Sequence, residues 1–279
     1  MTEVYLKLDF TLWQLPEQGL SQIMSYIIKT EDNKIIVIDG GTHSETQYLR
    51  NFLEFLGNNV YMWIITHPHP DHVEALTDIL LKPEGITVKQ ILSSIPDIEW
   101  LYKNEPEYSE CYDLYNRATN NLDIIDINSG EVFNLATMSI TVLGIRNYDI
   151  VKNAVNNSSV AFKVESDHKS VLFLGDLGTQ GGIKLLNNHK GNMLRADYVQ
   201  MAHHGQNGVT REVYERIQPK VCLWPTPKWL YDNNAGKGYN TGPWKTVEVR
   251  KWAEELGVVK NIVSCEGLAA IRTTKDRSI

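Results

Sequence analysis

Three imidazoles and a carboxylate fall within one six-residue stretch, His67-Pro68-His69-Pro70-Asp71-His72. Each group can give a lone pair to a cation, and imidazole with carboxylate is a donor set that zinc and its neighbours accept. His67 and His69 are two positions apart, so on an extended backbone they face one side and can grip one ion. Asp71 and His72, where a helix would begin, can grip another a few ångströms away. Two ions, or at least one, account for a cluster that would be an odd way to build a plain turn. Further donors follow at Asp176 and at His203-His204. A carboxylate has two oxygens and can bridge two cations, a task that suits Asp176, whose neighbour Gly175 lets backbone come close. A histidine from His203-His204 would complete the second ion. Such a pair brings a bridging water to near-neutral acidity and clamps attacked and leaving oxygens.

Groups so far apart in sequence need strand ends to bring them together. Four apolar runs each stop at a polar cluster: Ile35 to Ile38 at Asp39, Val60 to Ile65 at Thr66-His67, Val171 to Leu174 at Gly175-Asp176, and Tyr198 to Met201 before His203-His204. Ligands gather where strands leave a helix-covered sheet. Around these runs the pattern predicts a hairpin of Ile23 to Lys29 and Lys34 to Ile38, and a helix from Ser44 (as N-cap) to Leu56. A second helix opens at Asp71-His72, and a strand covers Ile86 to Ile95. Residues 96–121, with Glu105, Glu107 and Glu110 among tyrosines, read as a helical insert near the site. Strands over Met138 to Val142, Ser159 to Glu165 and Lys169 to Leu174 come next, then a helix to Asn188. Ala196 to Ala202 is a strand, Thr210 to Ile217 a helix, Val221 to Trp224 a strand and Val247 to Leu256 a helix, with two closing strands in 261–273. A loop rich in Gly, Pro, Tyr and Trp spans 225–243. No Pro/Ser-rich linker divides the chain, so residues 1–279 are expected to form one α/β (α+β) domain of two packed sheets covered by helices.

Bulk properties narrow the class. With 279 residues, 42% of them apolar and 22% charged, the chain has the makings of an ordinary globular protein. Its net charge of -7 advertises no general polyanion-binding surface, so a nucleic-acid partner is disfavoured, though a local basic groove would still allow one. Cys111, Cys222 and Cys265 form no CxxC pair, which argues against a disulfide framework and a thiolate metal site. The segment Met1 to Leu6 lacks a basic, apolar leader pattern, and no apolar run reaches the ~20 residues of a membrane span. A cytoplasmic protein without a membrane partner is the expectation.

At these residues the chain resembles the metallo-β-lactamase superfamily. The HxHxDH motif stands intact at 67–72, Ile38-Asp39-Gly40-Gly41 looks like the first motif, Leu174-Gly175-Asp176 like the bridging-aspartate motif and His203-His204-Gly205 like the late histidine. Ser158-Ser159-Val160, Phe173-Leu174-Gly175-Asp176 and Pro219-Lys220-Val221 are most similar to the branch holding the hydrolase domain of ComEC-type competence proteins and the phosphorylcholine esterases. The resemblance runs from about residue 18 to 273. It implies a four-layer αββα sandwich with zinc (manganese or iron as alternatives) held by His67, His69, Asp71, His72, Asp176 and His204. His204 is the expected ligand of its pair, while His203 faces substrate oxygens or gives a proton; Asp71 and His203 are the expected catalytic groups. Asp39 would tie loops together behind the metals.

One departure stands out. The superfamily usually adds a histidine between HxHxDH and the bridging aspartate, yet none lies between His72 and His168, and His168 falls in an apparent hairpin turn. Water, substrate or a residue of the insert would then fill the first site. In the loop 225–243 and just beyond it, Trp229, Tyr231, Tyr239 and Trp244 would line a substrate pocket, with Lys228 on an anionic group. His43 and His189 read as surface residues. The expected function is metal-dependent hydrolysis of a phosphodiester or other ester, on a small-molecule or nucleotide-like substrate. A competence-type nuclease, an iron oxidoreductase and a non-catalytic binding module are the alternatives.

Overall fold

Period-two alternation sorts the apolar strands into inner and outer faces. The computed structural model describes residues 10–136 and 138–273; Met1 to Leu6, read above for a leader, lie outside them. The first sheet contains β1 (Phe10–Gln14), β2 (Ser25–Thr30), β3 (Ile35–Asp39), β4 (Asn59–Ile64), β5 (Thr87–Val88), β6 (Ile91–Ser93) and β7 (Ile124–Asp126). The second holds β8 (Val132–Asn134), β9 (Ser139–Gly144), β10 (Ala161–Glu165), β11 (Ser170–Phe173), β12 (Tyr198–Gln200), β13 (Val221–Trp224) and β14 (Lys260–Val263). The last strand, β15 (Ala269–Arg272), returns to the first sheet. Strand orders are β15-β1-β2-β3-β4-β6-β7, with β5 also on β4, and β14-β13-β12-β11-β10-β9-β8.

Helices cover the two outer faces. On the first sheet lie α1 (Thr46–Leu56) and α2 (Pro70–Leu81), with α3 (Ile98–Asn104) and α4 (Ser109–Thr119) following β6. On the second lie α5 (Thr179–Asn188), α6 (Arg211–Ile217), the short α7 (Lys228–Tyr231) and α8 (Thr246–Glu255). Alternate residues divide between layers. Ile36, Ile38, Met62 and Ile64 pack inward on Phe162, Val164, Val171 and Phe173 of the facing sheet. Their neighbours Ile35, Val37 and Trp63 pack outward on Leu49, Leu53, Leu76 and Ile79. In the second sheet Leu172, Val199, Cys222 and Trp224 point out to Leu185, Val213, Ile217 and Val249. The result is the expected αββα sandwich, with β3 and β4 buried on both faces and therefore apolar at every central position.

Local departures have local causes. The first helix begins with a 3-10 turn capped by Thr42 rather than Ser44, because Thr42 and Glu45 form a reciprocal capping box. The Ile86 to Ile95 strand is two pieces, although Lys89 N–H and the Gln90 carbonyl continue the bonding to β4. His189 is buried, not on the surface, with Nε2 2.6 Å from the Leu143 carbonyl. The 225–243 loop contains α7. Among the described residues no helix is long and apolar enough to cross a membrane.

Candidate metal centre

Both sheets deliver their polar strand ends to one place. Beyond β3 and β4 stand Asp39 and the His67–His72 stretch; beyond β11 and β12 stand Asp176 and His203-His204. The Val160 N–H bonds the Thr66 carbonyl at 2.8 Å, tying the second sheet to the first beside the site, and His203 N–H bonds the Gly175 carbonyl at 3.0 Å, joining the ends of β11 and β12. One donor atom each from Asp71, His72, Asp176 and His204 lies within 4.8 Å of the others. His204 Nε2 is 3.0 Å from Asp71 Oδ2 and 3.2 Å from Asp176 Oδ2, and His72 Nε2 is 3.4 Å from Asp176 Oδ2. Yet Asp71 Oδ2, His72 Nε2, Asp176 Oδ1 and His204 Nε2 are buried without a hydrogen-bond partner. Atoms that approach closely but do not aim at one another are converging on a shared point.

His67 and His69 face each other beside this cluster. His67 Nε2 and His69 Nδ1 are 3.1 Å apart, and His67 Nε2 is 4.0 Å from Asp176 Oδ2. Asp176 thus stands between the two groups.

Each of these rings is held from behind by its other nitrogen. His72 Nδ1 meets Asp39 Oδ2 at 2.7 Å, and Asp39 is itself fixed by the Thr66 N–H and hydroxyl. His204 Nδ1 meets the Pro225 carbonyl at 2.7 Å. His67 Nδ1 lies 3.2 Å from both the Thr66 and Ser159 hydroxyls. His69 Nε2 meets Glu105 Oε2 at 2.8 Å. Such partners choose which nitrogen carries the proton and so leave the other free to bind. The role of Glu105 did not emerge from sequence, since nothing in a spacing of 36 positions marks a side-chain contact.

The backbone at the late histidines is unusual. His203 and His204 have φ of 52° and 53°, and Gly205 follows at 75°. Left-handed non-glycine residues cost free energy and are kept where surroundings over-determine them. Here the Trp224 ring presses on Gly205, where a Cβ would lie 2.2 Å from it, and Thr226 Oγ1 donates to the His204 carbonyl at 2.7 Å. The twist sends His204 into the cluster and His203 toward a cleft of about 790 Å³. Lys152, Asn153, Asn157, Arg211 and Lys245 also line that cleft.

Comparison with known proteins agrees with this geometry. Residues 19–84 match the sequence profile of the metallo-beta-lactamase superfamily. No curated protein sequence matches the chain. Among solved structures, the metallo-beta-lactamase fold protein YhfI from Bacillus subtilis superposes with a TM-score of 0.57 at 12% identity, over 95% of this chain and 99% of that one. The chain has the metallo-β-lactamase fold. A diphosphatase from the PhnP family gives 0.51 at 12% identity over 96% and 99%. CmlA, a diiron beta-hydroxylase from Streptomyces venezuelae, gives 0.55 at 12% identity over 95% of this chain but 54% of its own length.

Against that fold the departures are specific. His168 lies in the turn joining β10 to β11, its N–H on Ser166 Oγ, and supplies no donor to the cluster. Of the three expected fillers of the first site, water, substrate or a residue of the insert, the last reaches His69 only from behind. Glu105 Oε2 contacts His69 on the side away from His67, and Oε1 accepts from the Val155 N–H at 3.0 Å. Asn156 stands beside His203, its Nδ2 3.4 Å from His203 Nε2 and its Oδ1 buried without a partner. Trp229, Tyr231, Tyr239, Trp244 and Lys228 do not line the cleft beside His203; Lys245 does. Trp229 stacks edge-on against Trp244 and donates to the Leu20 carbonyl, Tyr231 packs on Trp224, Tyr239 bonds Arg250, and Lys228 pairs with Asp232.

The charges of the cluster act on one another. Burial pushes the Asp71 and Asp176 carboxyls up, but the facing His72 and His204 outweigh it and hold both below the usual carboxylate range. Burial works against charge on His204 as well; the two carboxylates more than offset it and raise this ring to about 10, and they raise His72 too. His67 goes the other way, lowered by burial and by repulsion from His72 and His69, which leaves its lone pair available. Burial likewise lowers His203.

Proposed function

We propose that this chain is a metal-dependent hydrolase acting on a phosphodiester or a related anionic ester, of the ComEC-type and phosphorylcholine-esterase branch. The observation that carries the reading is the set of three buried, unpartnered donor atoms, Asp71 Oδ2, His72 Nε2 and His204 Nε2, that converge beside the Asp176 carboxylate. These residues would hold one ion, zinc or manganese, and His67, His69 and Asp176 a second. Bound there, such ions supply an acidic water and positive charge for the developing oxyanion. The chain's own groups do the rest. Lys152 and Lys245 line the cleft and have no carboxylate partner among the described residues, so they can take the substrate's negative charge. His203, whose burial disfavours its charged form, offers an N–H to a substrate oxygen where the cleft meets the cluster. Asp176 fixes the spacing between the two halves. A diphosphatase among the proteins of this fold is consistent with a phosphoester substrate.

The test is metal analysis of the purified protein, followed by turnover of a bis-aryl phosphodiester after reconstitution with zinc or manganese. Phosphomonoesters, lactones and DNA are assayed alongside. The expected result is close to two equivalents of metal and diesterase activity that Asp176→Ala abolishes. Intact protein that takes up no metal, or an Asp176→Ala variant with full activity, overturns the proposal. Cleavage of DNA that collapses with salt would transfer it to a nuclease. Iron with oxygen consumption would transfer it to an oxidoreductase.

A further inference from the structure

We infer that Glu105, from the segment between α3 and α4, is the positioning residue that fixes the proton of His69 on Nε2 and so keeps Nδ1 free beside His67. This rests on the metal-centre reading above and adds to it a residue outside the ligand set. His69 Nε2 lies 2.8 Å from Glu105 Oε2, while His69 Nδ1 lies 3.1 Å from His67 Nε2. A carboxylate only accepts, so the nitrogen facing it must carry the hydrogen. The other oxygen of Glu105 is already committed to the Val155 N–H at 3.0 Å. The carboxylate is therefore bonded on both sides and reaches from the histidine motif to the loop that holds Asn156.

The surroundings make this more than a surface ion pair. Glu105 and His69 side chains are 12% and 8% exposed. Tyr108 lies against the His69 ring with centroids 4.5 Å apart, and Cys111 Sγ contacts the Pro68 carbonyl. The α3–α4 segment thus roofs the half of the site that lacks the superfamily's usual third histidine. His72 has the same arrangement, with Asp39 behind it, built from the core of the first sheet instead of from an insert. Two carboxylates from unrelated elements do the same job for the two half-sites.

The chemistry of an amide gives a sharp test. In Glu105→Gln the amide oxygen must face the Val155 N–H, which can only donate. The amide nitrogen then faces His69 Nε2 and forces that atom to accept, so the ring proton moves to Nδ1, the atom needed for metal. Long-range proton–nitrogen spectra of the metal-free protein read the tautomer directly. The wild type is expected to carry the His69 proton on Nε2, and Glu105→Gln on Nδ1. In zinc titrations against a competing chelator, Glu105→Gln is expected to keep one equivalent and to bind the other about 10–100-fold more weakly. Glu105→Ala, which removes the acceptor without adding a donor, should fall between the two. An unchanged tautomer in Glu105→Gln, or an unchanged affinity for both equivalents, overturns the role of Glu105. Wild-type protein that binds no zinc overturns the metal-centre reading instead, a result the titration separates from the first.

Discussion

At the scale of single residues, the site is ordered by what stands behind the ligand atoms. Asp39 accepts from the Thr66 N–H through Oδ1 and from the Thr66 hydroxyl and His72 Nδ1 through Oδ2. Asp39→Asn cannot accept on both sides, so it should leave the fold intact and lower zinc affinity about 10–100-fold, as read by chelator competition. A variant with native affinity would show that Thr66 alone suffices to hold His72. The donors that meet in the cluster were legible in the sequence because each follows an apolar run, and such runs end at the rim of a sheet. Glu105 was not legible. It lies 36 positions from His69 in a segment whose only visible property was a mixture of glutamate and tyrosine. Asn156 was also missed, since an amide among several asparagines carries no signal until a fold shows which oxygen is buried and alone.

At the scale of elements, the short connection after β12 is the most constrained piece of backbone. Three successive left-handed residues turn His204 inward and His203 outward, held by the Trp224 ring against Gly205. Gly205→Ala would place a methyl 2.2 Å from that ring, so either Trp224 or the histidine pair must move. We expect a loss of about 1–3 kcal/mol, measured as a melting temperature lower by several degrees, together with weaker metal binding. Retention of both would mean that the turn is held by its hydrogen bonds rather than by packing. Strand and helix periods predicted most elements, because inner and outer faces of β3, β4 and β11 carry different partners. The errors fell where side chains override period: Thr42 takes the cap expected of Ser44, and His189 is drawn inside by one carbonyl.

At the scale of the whole molecule, the balance of charge at the centre governs how stability responds to acidity. In the metal-free protein His204 and His72 hold protons more tightly than an unfolded chain does. Their contribution is complete below pH ~6.5 and lost as pH rises through about 10 for His204. Asp71 and Asp176 act in the opposite sense, stabilising above about pH 4 and failing on acidification. Scanning calorimetry of chelated protein should therefore show a melting temperature that declines from pH 6.5 toward 10, and zinc should abolish that decline while releasing protons on binding. A flat profile would place the imidazoles in their neutral form. A different consequence follows from the pairing of β1 with β15, in which Thr11 stands opposite Arg272 and Gln14 opposite Ala269. One edge of β1 pairs with the neighbouring β2, but its other edge is covered only by the last described strand, so the first sheet is not complete until nearly every other element has been made. Closure over so long a loop is slow and comes late in refolding. Pulse-labelled amides of β15, and those of β1 that face it, should gain protection after those of β3 and β4, so half-formed chains would expose that edge of β1 to one another and be the ones that aggregate.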